Sequence, residues 1–166
     1  MSNASRIADQ LIEDVRFGRI SADYNAVFEE IDQVVDVYCI HTSNCLEIMQ
    51  ETDNADAYAD DFGGEGLRGE SWSGIVSKFA WAALRRDVTD LLFREGCDPN
   101  TPESWGYKAE CGTPDADGDV ADWAPINEEV YPDQTDAEDI ATAYQEDHTG
   151  DDPIAVRVVN LAGDEV

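Results

Sequence analysis

Asp115, Asp117, Asp119 and Asp122 fall within eight residues of the stretch 113-TPDADGDVADWAP-125, and no cation lies among them. Oxygen ligands at positions 1, 3 and 5 are how calcium loops begin, but an EF-hand loop then needs glycine at position 6 and glutamate at position 12. Counted from Asp115, those positions hold Val120 and Ile126, so the match fails where the geometry is most demanding. A solvated anionic surface is the better reading of these four carboxylates.

Other residue types with chemistry give less. Cys39-x-His41-x3-Cys45 gathers two thiols and an imidazole, with Cys97 and Cys111 as further thiols, but it lacks the close Cys–Cys knuckles of zinc sites. Cys39 also follows Val35 by one helical turn on an apolar stripe, where a small buried cysteine is an ordinary core residue. A nucleophile pair of Cys45 or Cys97 with His41 or His148 has no local signature. Gly63, Gly64, Gly66 and Gly69 follow no strand, so they make no phosphate-cradling loop. The expectation is a protein that is not an enzyme, with no catalytic residue, no cofactor and no resident metal.

Charge is the outlying property. The chain carries 38 acids against 10 bases, a net of −28. Residues 1–95 hold 19 acids and 8 bases (−11), whereas 96–166 hold 19 acids and only Lys108 and Arg157 (−17). Such a field repels nucleic acid and anionic lipid and attracts basic protein surfaces. The start, MSNASR, has no apolar h-region and the longest apolar run is 79-FAWAAL-84, which predicts a soluble, cytoplasmic protein with reduced cysteines.

The elements that must position these charges are mostly helical. Ile7, Leu11, Ile12 and Val15 predict a helix over 5–17, stopped by Gly18. A second starts from Ser21 as N-cap and runs through Tyr24, Val27, Phe28, Ile31, Val34, Val35 and Tyr38. His41–Asn44 interrupts it, Cys45, Leu46, Ile48 and Met49 predict a further helix, and 56–62 a short turn. The glycines of 62–74 predict a loop, followed from Ser73 by a long buried helix ending at Gly96. Lys78, Arg85, Arg86 and Arg94 on its exposed side are expected to pair with acids of neighbouring helices. Beyond Pro99, Thr135-x-x-Glu138 reads as a capping box opening one helix, and 153-PIAVRVVNLA-162 reads as a strand partnered by 105–110 or 126–131. The predicted fold is α+β, predominantly α-helical, in a single domain of 1–166. A helical N-terminal core (1–96) carries a small acidic α/β C-terminal portion (97–166), loop-rich with one helix and a C-terminal strand.

The acids then acquire a geometric meaning. Phosphates along one DNA strand lie roughly 6 to 7 Å apart on the winding backbone. Carboxylates at i and i+2 of an extended chain lie about 6.6 Å apart, and at i and i+4 of a helix about 6 Å. Asp115, Asp117 and Asp119 suit the extended case, while Asp32/Asp36 and Asp56/Asp60 are helical pairs in the less acidic half.

In size, acidity and helix-rich design the chain resembles the DNA-mimic anti-defence proteins of phages and mobile elements, such as antirestriction proteins and some anti-CRISPRs. The resemblance is compositional and spans the whole chain. It implies an inhibitor in the host-cell cytoplasm that occupies the DNA site of a restriction enzyme, CRISPR complex or similar nuclease. The implied partner is a basic DNA-binding protein of the host, with neither nucleic acid nor membrane bound directly and a homodimer left open. On this reading Asp115, Asp117, Asp119, Asp122, Glu128, Glu129, Asp133, Asp136, Glu138 and Asp139 form one anionic face. Two other readings fit the same composition. One is a salt-adapted cytosolic domain, suggested by 23 Asp against 15 Glu and 8 Arg against 2 Lys. The other is an acidic inhibitor of a basic partner that does not bind DNA.

Overall fold

The computed structural model describes residues 2–62, 66–150 and 153–166. Gly63 and Gly64 of the predicted loop lie outside the described residues. Helices α1 (Asn3–Arg16), α2 (Tyr24–Tyr38), α3 (Thr42–Glu51), α4 (Ala57–Asp61) and α5 (Trp72–Arg94) come first. A 3-10 turn (Pro102–Trp105) leads into β1 (Tyr107–Gly112), β2 (Ala124–Pro125), α6 (Gln134–Asp147) and β3 (Ala155–Asn160). The chain is α+β and predominantly helical, as its patterning predicts.

Helix α5 is the spine, with α1, α2, α3 and α4 packed around it. It can be surrounded because Ala80, Ala82 and Ala83 are fully buried and let neighbouring backbones approach closely. One side of α5 meets Ile7, Leu11 and Val15 of α1, Val27, Ile31 and Val35 of α2, and Cys45 and Ile48 of α3. On the other side Tyr58 of α4 stacks on Phe79 at 4.3 Å and on Phe62 at 4.9 Å. Two of the four exposed-side cations pair with acids of neighbouring helices as expected, Arg85 with Asp32 at 2.7 Å and Arg86 with Asp60 and Asp61 at 3.4 and 3.9 Å, whereas Lys78 pairs at 2.9 Å with Glu70 of the loop that precedes α5.

Helix starts differ from the sequence reading by one or two residues, each for a local reason. The cap of α2 is Asp23, not Ser21, and its carboxylate accepts from the amides of Asn25 and Ala26 at 2.9 and 3.2 Å. A charged acceptor gains from the partial positive charge of the helix start, which a serine hydroxyl does not. The cap of α5 is Ser71, whose Oγ accepts from the Gly74 amide at 3.2 Å. The Thr135/Glu138 capping box is absent: α6 already begins at Gln134 behind Asp133, and Glu138 accepts instead from Gln134 Nε2 at 2.7 Å. Both predicted stops hold, with Gly18 and Gly96 left-handed at φ +71° and +74° and six-residue wrap-around bonds behind them (Arg19 N to Asp14 O, Cys97 N to Leu92 O, both 2.8 Å).

The sheet is antiparallel in the order β2-β1-β3. Of the two candidate partners for the C-terminal strand, the first supplies it: Tyr107 to Gly112 of β1 pair with Asn160 to Ala155 of β3. The 126–131 stretch pairs with β1 instead of β3, through an Ile126 N to Ala109 O bond of 2.9 Å and a bridge between Tyr131 and Tyr107. Ala109 and Val158 are paired across the strands and buried against Ala137 and Ala141 of α6, so α6 covers one face of the sheet. The joint to the helical core is Trp105, whose indole sits in the main core. Its Nε1 donates to Asp98 O at 2.8 Å and its carbonyl accepts from Arg16 Nε at 2.7 Å.

Candidate partner-binding surface

The acidic stretch is a closed turn rather than an extended ribbon. Asp115 N donates to Asp119 O at 2.8 Å, and Asp115 Oδ1 accepts from the amides of Asp117 and Asp119 at 2.9 and 3.0 Å. An aspartate that holds two amides of its own loop trades chain extension for local hydrogen bonds. The 6.6 Å extended spacing expected of Asp115, Asp117 and Asp119 is therefore replaced by a compact knob.

The knob is tied to the sheet. A Cβ on Gly112 would stand 2.8 Å from Asp122 O and inside the contact shell of Val120, so only glycine lets the loop fold back over the end of β1. From the loop, Trp123 lies under the Arg157 guanidinium, 4.3 Å from its ring centroid. Arg157 in turn directs Nε and one terminal nitrogen onto Oε2 of its cross-strand neighbour Glu110, at 2.9 and 2.7 Å. One of the two bases of this half thus clamps the loop instead of neutralising it. Arg157→Met should keep the strand and lower stability by about 1–2 kcal/mol, because it leaves the half-buried Glu110 without its partner. It should also free the loop, seen as a loss of amide protection at 113–123 in hydrogen exchange while β1 and β3 stay protected.

All ten carboxylates of the expected face are exposed, but they are not one contiguous face. The turn with Asp115, Asp117, Asp119 and Asp122 follows Gly112, at one end of β1. Tyr131 is bridged to Tyr107 at the other end, which places Glu129 and Asp133 there together with the start of α6 at Asp136, Glu138 and Asp139. Six residues of strand separate the two groups by roughly 17 Å. Tyr144, near the end of α6, meets the Cys111 thiol, which raises the phenol's pKa. The end of α6 therefore adds Glu146 and Asp147 to the turn group. Glu128 stands apart, in a cleft shared with Arg16 and Lys108.

What distinguishes these carboxylates is their lack of countercharge. None of the ten forms an ion pair among the described residues. In the helical half, by contrast, Asp14, Asp32, Asp60, Asp61 and Glu70 are paired with cations, and Asp36 accepts from Trp81 Nε1 at 2.7 Å. The helical pair Asp32/Asp36 is thus engaged in packing α2 onto α5.

The thiols and imidazoles do not converge. Cys39 and Cys45 are buried while His41 is exposed at the start of α3. Burial, reinforced by the neighbouring Cys45, pushes the Cys39 thiol up to about 12. Cys97 is buried beside Trp105, its thiol also raised by burial. His148 stacks on Tyr144 at 4.1 Å. Among the described residues no group of three or more His, Cys, Asp or Glu side chains is arranged to hold a metal ion. No helix there is long and apolar enough to cross a membrane. No known protein family, curated protein or solved structure matches the chain.

Proposed function

We propose that this chain is an acidic DNA-mimic inhibitor, acting in the host-cell cytoplasm without catalytic residues or cofactor, whose C-terminal portion occupies the DNA-binding groove of a defence nuclease of the restriction or CRISPR type. The observation that supports it is the segregation of paired and unpaired acids. Five carboxylates of the helical half, Asp14, Asp32, Asp60, Asp61 and Glu70, are paired with cations, whereas the ten exposed carboxylates singled out in the sheet half form no ion pair among the described residues. A polyanion held in place by its fold releases counterions when a basic groove closes on it, the same entropic drive that DNA supplies. The two acidic groups, roughly 17 Å apart, are separated by two to three phosphate intervals of a DNA strand.

Capture on immobilised protein from a host lysate at low salt should retain a DNA-binding nuclease, and excess duplex DNA should displace it. Retention only of proteins indifferent to duplex DNA would replace this reading with an inhibitor of a different basic partner. The Asp-over-Glu and Arg-over-Lys bias favours the salt-adapted reading, which predicts the opposite response to salt. A mimic should stay folded near about 0.1 M NaCl and bind more weakly as salt rises. A salt-adapted domain should unfold there, and circular dichroism across a salt series separates the two.

A further inference from the structure

The joint between the helical core and the sheet leaves a cleft of about 350 Å³, at the lower end of the size range of small-molecule sites. Its walls come from three parts of the chain. Arg16, Phe17 and Gly18 end α1, Lys108 lies on β1, and Glu128 and Val130 belong to the stretch held to Ala109 and Tyr107. Tyr107 and Ala109 pack toward α6, so strand alternation turns Lys108 to the opposite face, toward the end of α1. A Cβ on Gly106 would stand 2.5 Å from Val130 Cγ1 and 3.5 Å from both Arg16 Cγ and Leu161 Cδ2, so the walls are packed together behind the opening. The cleft offers accessible apolar surface: Phe17 is 62% exposed, and Ile20, Val130 and Leu161 are half-buried. Its two poles are unengaged. Arg16 is tethered through Nε to Trp105 O, but the Lys108 and Glu128 side chains line the same cleft with no hydrogen bond or ion pair, to each other or to any other described residue. The half-buried Lys108 ammonium is thus partly withdrawn from water without a partner, a cost that an anionic group in the cleft would relieve.

We propose that this cleft binds the zwitterion of an apolar α-amino acid, its carboxylate on Lys108, its ammonium on Glu128, and its side chain against Phe17, Ile20 and Leu161. Charge selects this class over its simpler relatives. A plain carboxylate would approach a chain of −28 and then face Glu128, and a plain amine would leave Lys108 without a partner. A zwitterion carries no net charge, so it enters without that penalty and satisfies both poles. The C-terminal end of α1 borders the same cleft and adds partial negative charge, which favours an ammonium. The site uses only Glu128 among the ten carboxylates of the anionic surface, so it stands or falls separately from the DNA-mimic reading.

The test compares leucine with isocaproate, which lacks the ammonium, and isoamylamine, which lacks the carboxylate, and it involves no nuclease. In amide chemical-shift titrations of the intact protein, leucine should perturb Gly18, Ile20, Lys108 and Val130. At those amides it should bind about tenfold more tightly than either relative. Glu128→Gln should abolish the advantage over isocaproate while keeping that over isoamylamine, and Lys108→Gln should do the reverse. Both substitutions fall on side chains without partners, so the fold stays intact. Binding of isocaproate or isoamylamine as tight as that of leucine, unchanged preferences in either variant, or no perturbation around the cleft at about 10 mM leucine would each overturn the proposal.

Discussion

Replacing Trp105 with alanine should cost about 3–5 kcal/mol and produce the largest loss of stability of any single substitution in this chain. Trp105 is the largest fully buried side chain, at 1% exposure. It belongs to the core of the helical half although it immediately precedes β1. Removing it opens a cavity at the joint and strips Asp98 O of the indole donor. A domain of this size is held by about 5–15 kcal/mol, so the variant should lie close to its unfolding threshold. In urea, the midpoint should fall sharply for both circular dichroism and amide signals of the sheet, because Trp105 is the largest side chain that the C-terminal half contributes to the helical core, beside Cys97 and Leu161. Trp105→Phe should recover much of the loss by refilling the space, though not the Asp98 bond. If Trp105→Ala unfolded the sheet while leaving the helices at their original midpoint, the halves would be separate cooperative units.

The helical half was legible because its stripes are long. Four to nine apolar positions at helical spacing fixed α1, α2 and α5 well enough that only their caps moved. Those caps moved because neighbouring capping residues compete: Asp23 displaces Ser21, and Ser71 lies within two residues of Ser73. The acidic surface was less legible. Its residues and their exposure could be read from composition, but its shape depends on contacts that sequence spacing does not encode. The turn closes through Asp115's own side chain, and the two groups part because Tyr131, not a strand, meets Tyr107. Glu110 and Arg157 are 47 residues apart and face each other only through the β1–β3 register. The signal that could have found the clamp was the rarity of cations: with two bases beyond residue 95, each one warranted a search for its partner.

The closed turn also changes which substitutions test the anionic surface. Asp115 must be spared, since lysine there would lose the bonds to the amides of Asp117 and Asp119 and distort the knob as well as its charge. The triple variant Asp117→Lys/Asp119→Lys/Asp122→Lys removes three exposed carboxylates and adds three cations at one end of the sheet. Its counterpart Asp133→Lys/Asp136→Lys/Asp139→Lys does the same at the other end, again at exposed positions. Each triple should weaken binding to the captured nuclease by on the order of 100-fold at about 0.1 M salt, because three attractions become three repulsions within a Debye length of the basic groove. The salt dependence should flatten by about one unit of slope per carboxylate that the groove contacts. Equal losses from the two triples mean that a single groove spans both groups, as a duplex-binding cleft would. A loss confined to one triple places the contact at that end, and a much smaller footprint than a DNA duplex follows. If both triples fold normally and neither changes affinity, the sheet half is not the contact surface and the DNA-mimic reading fails with it.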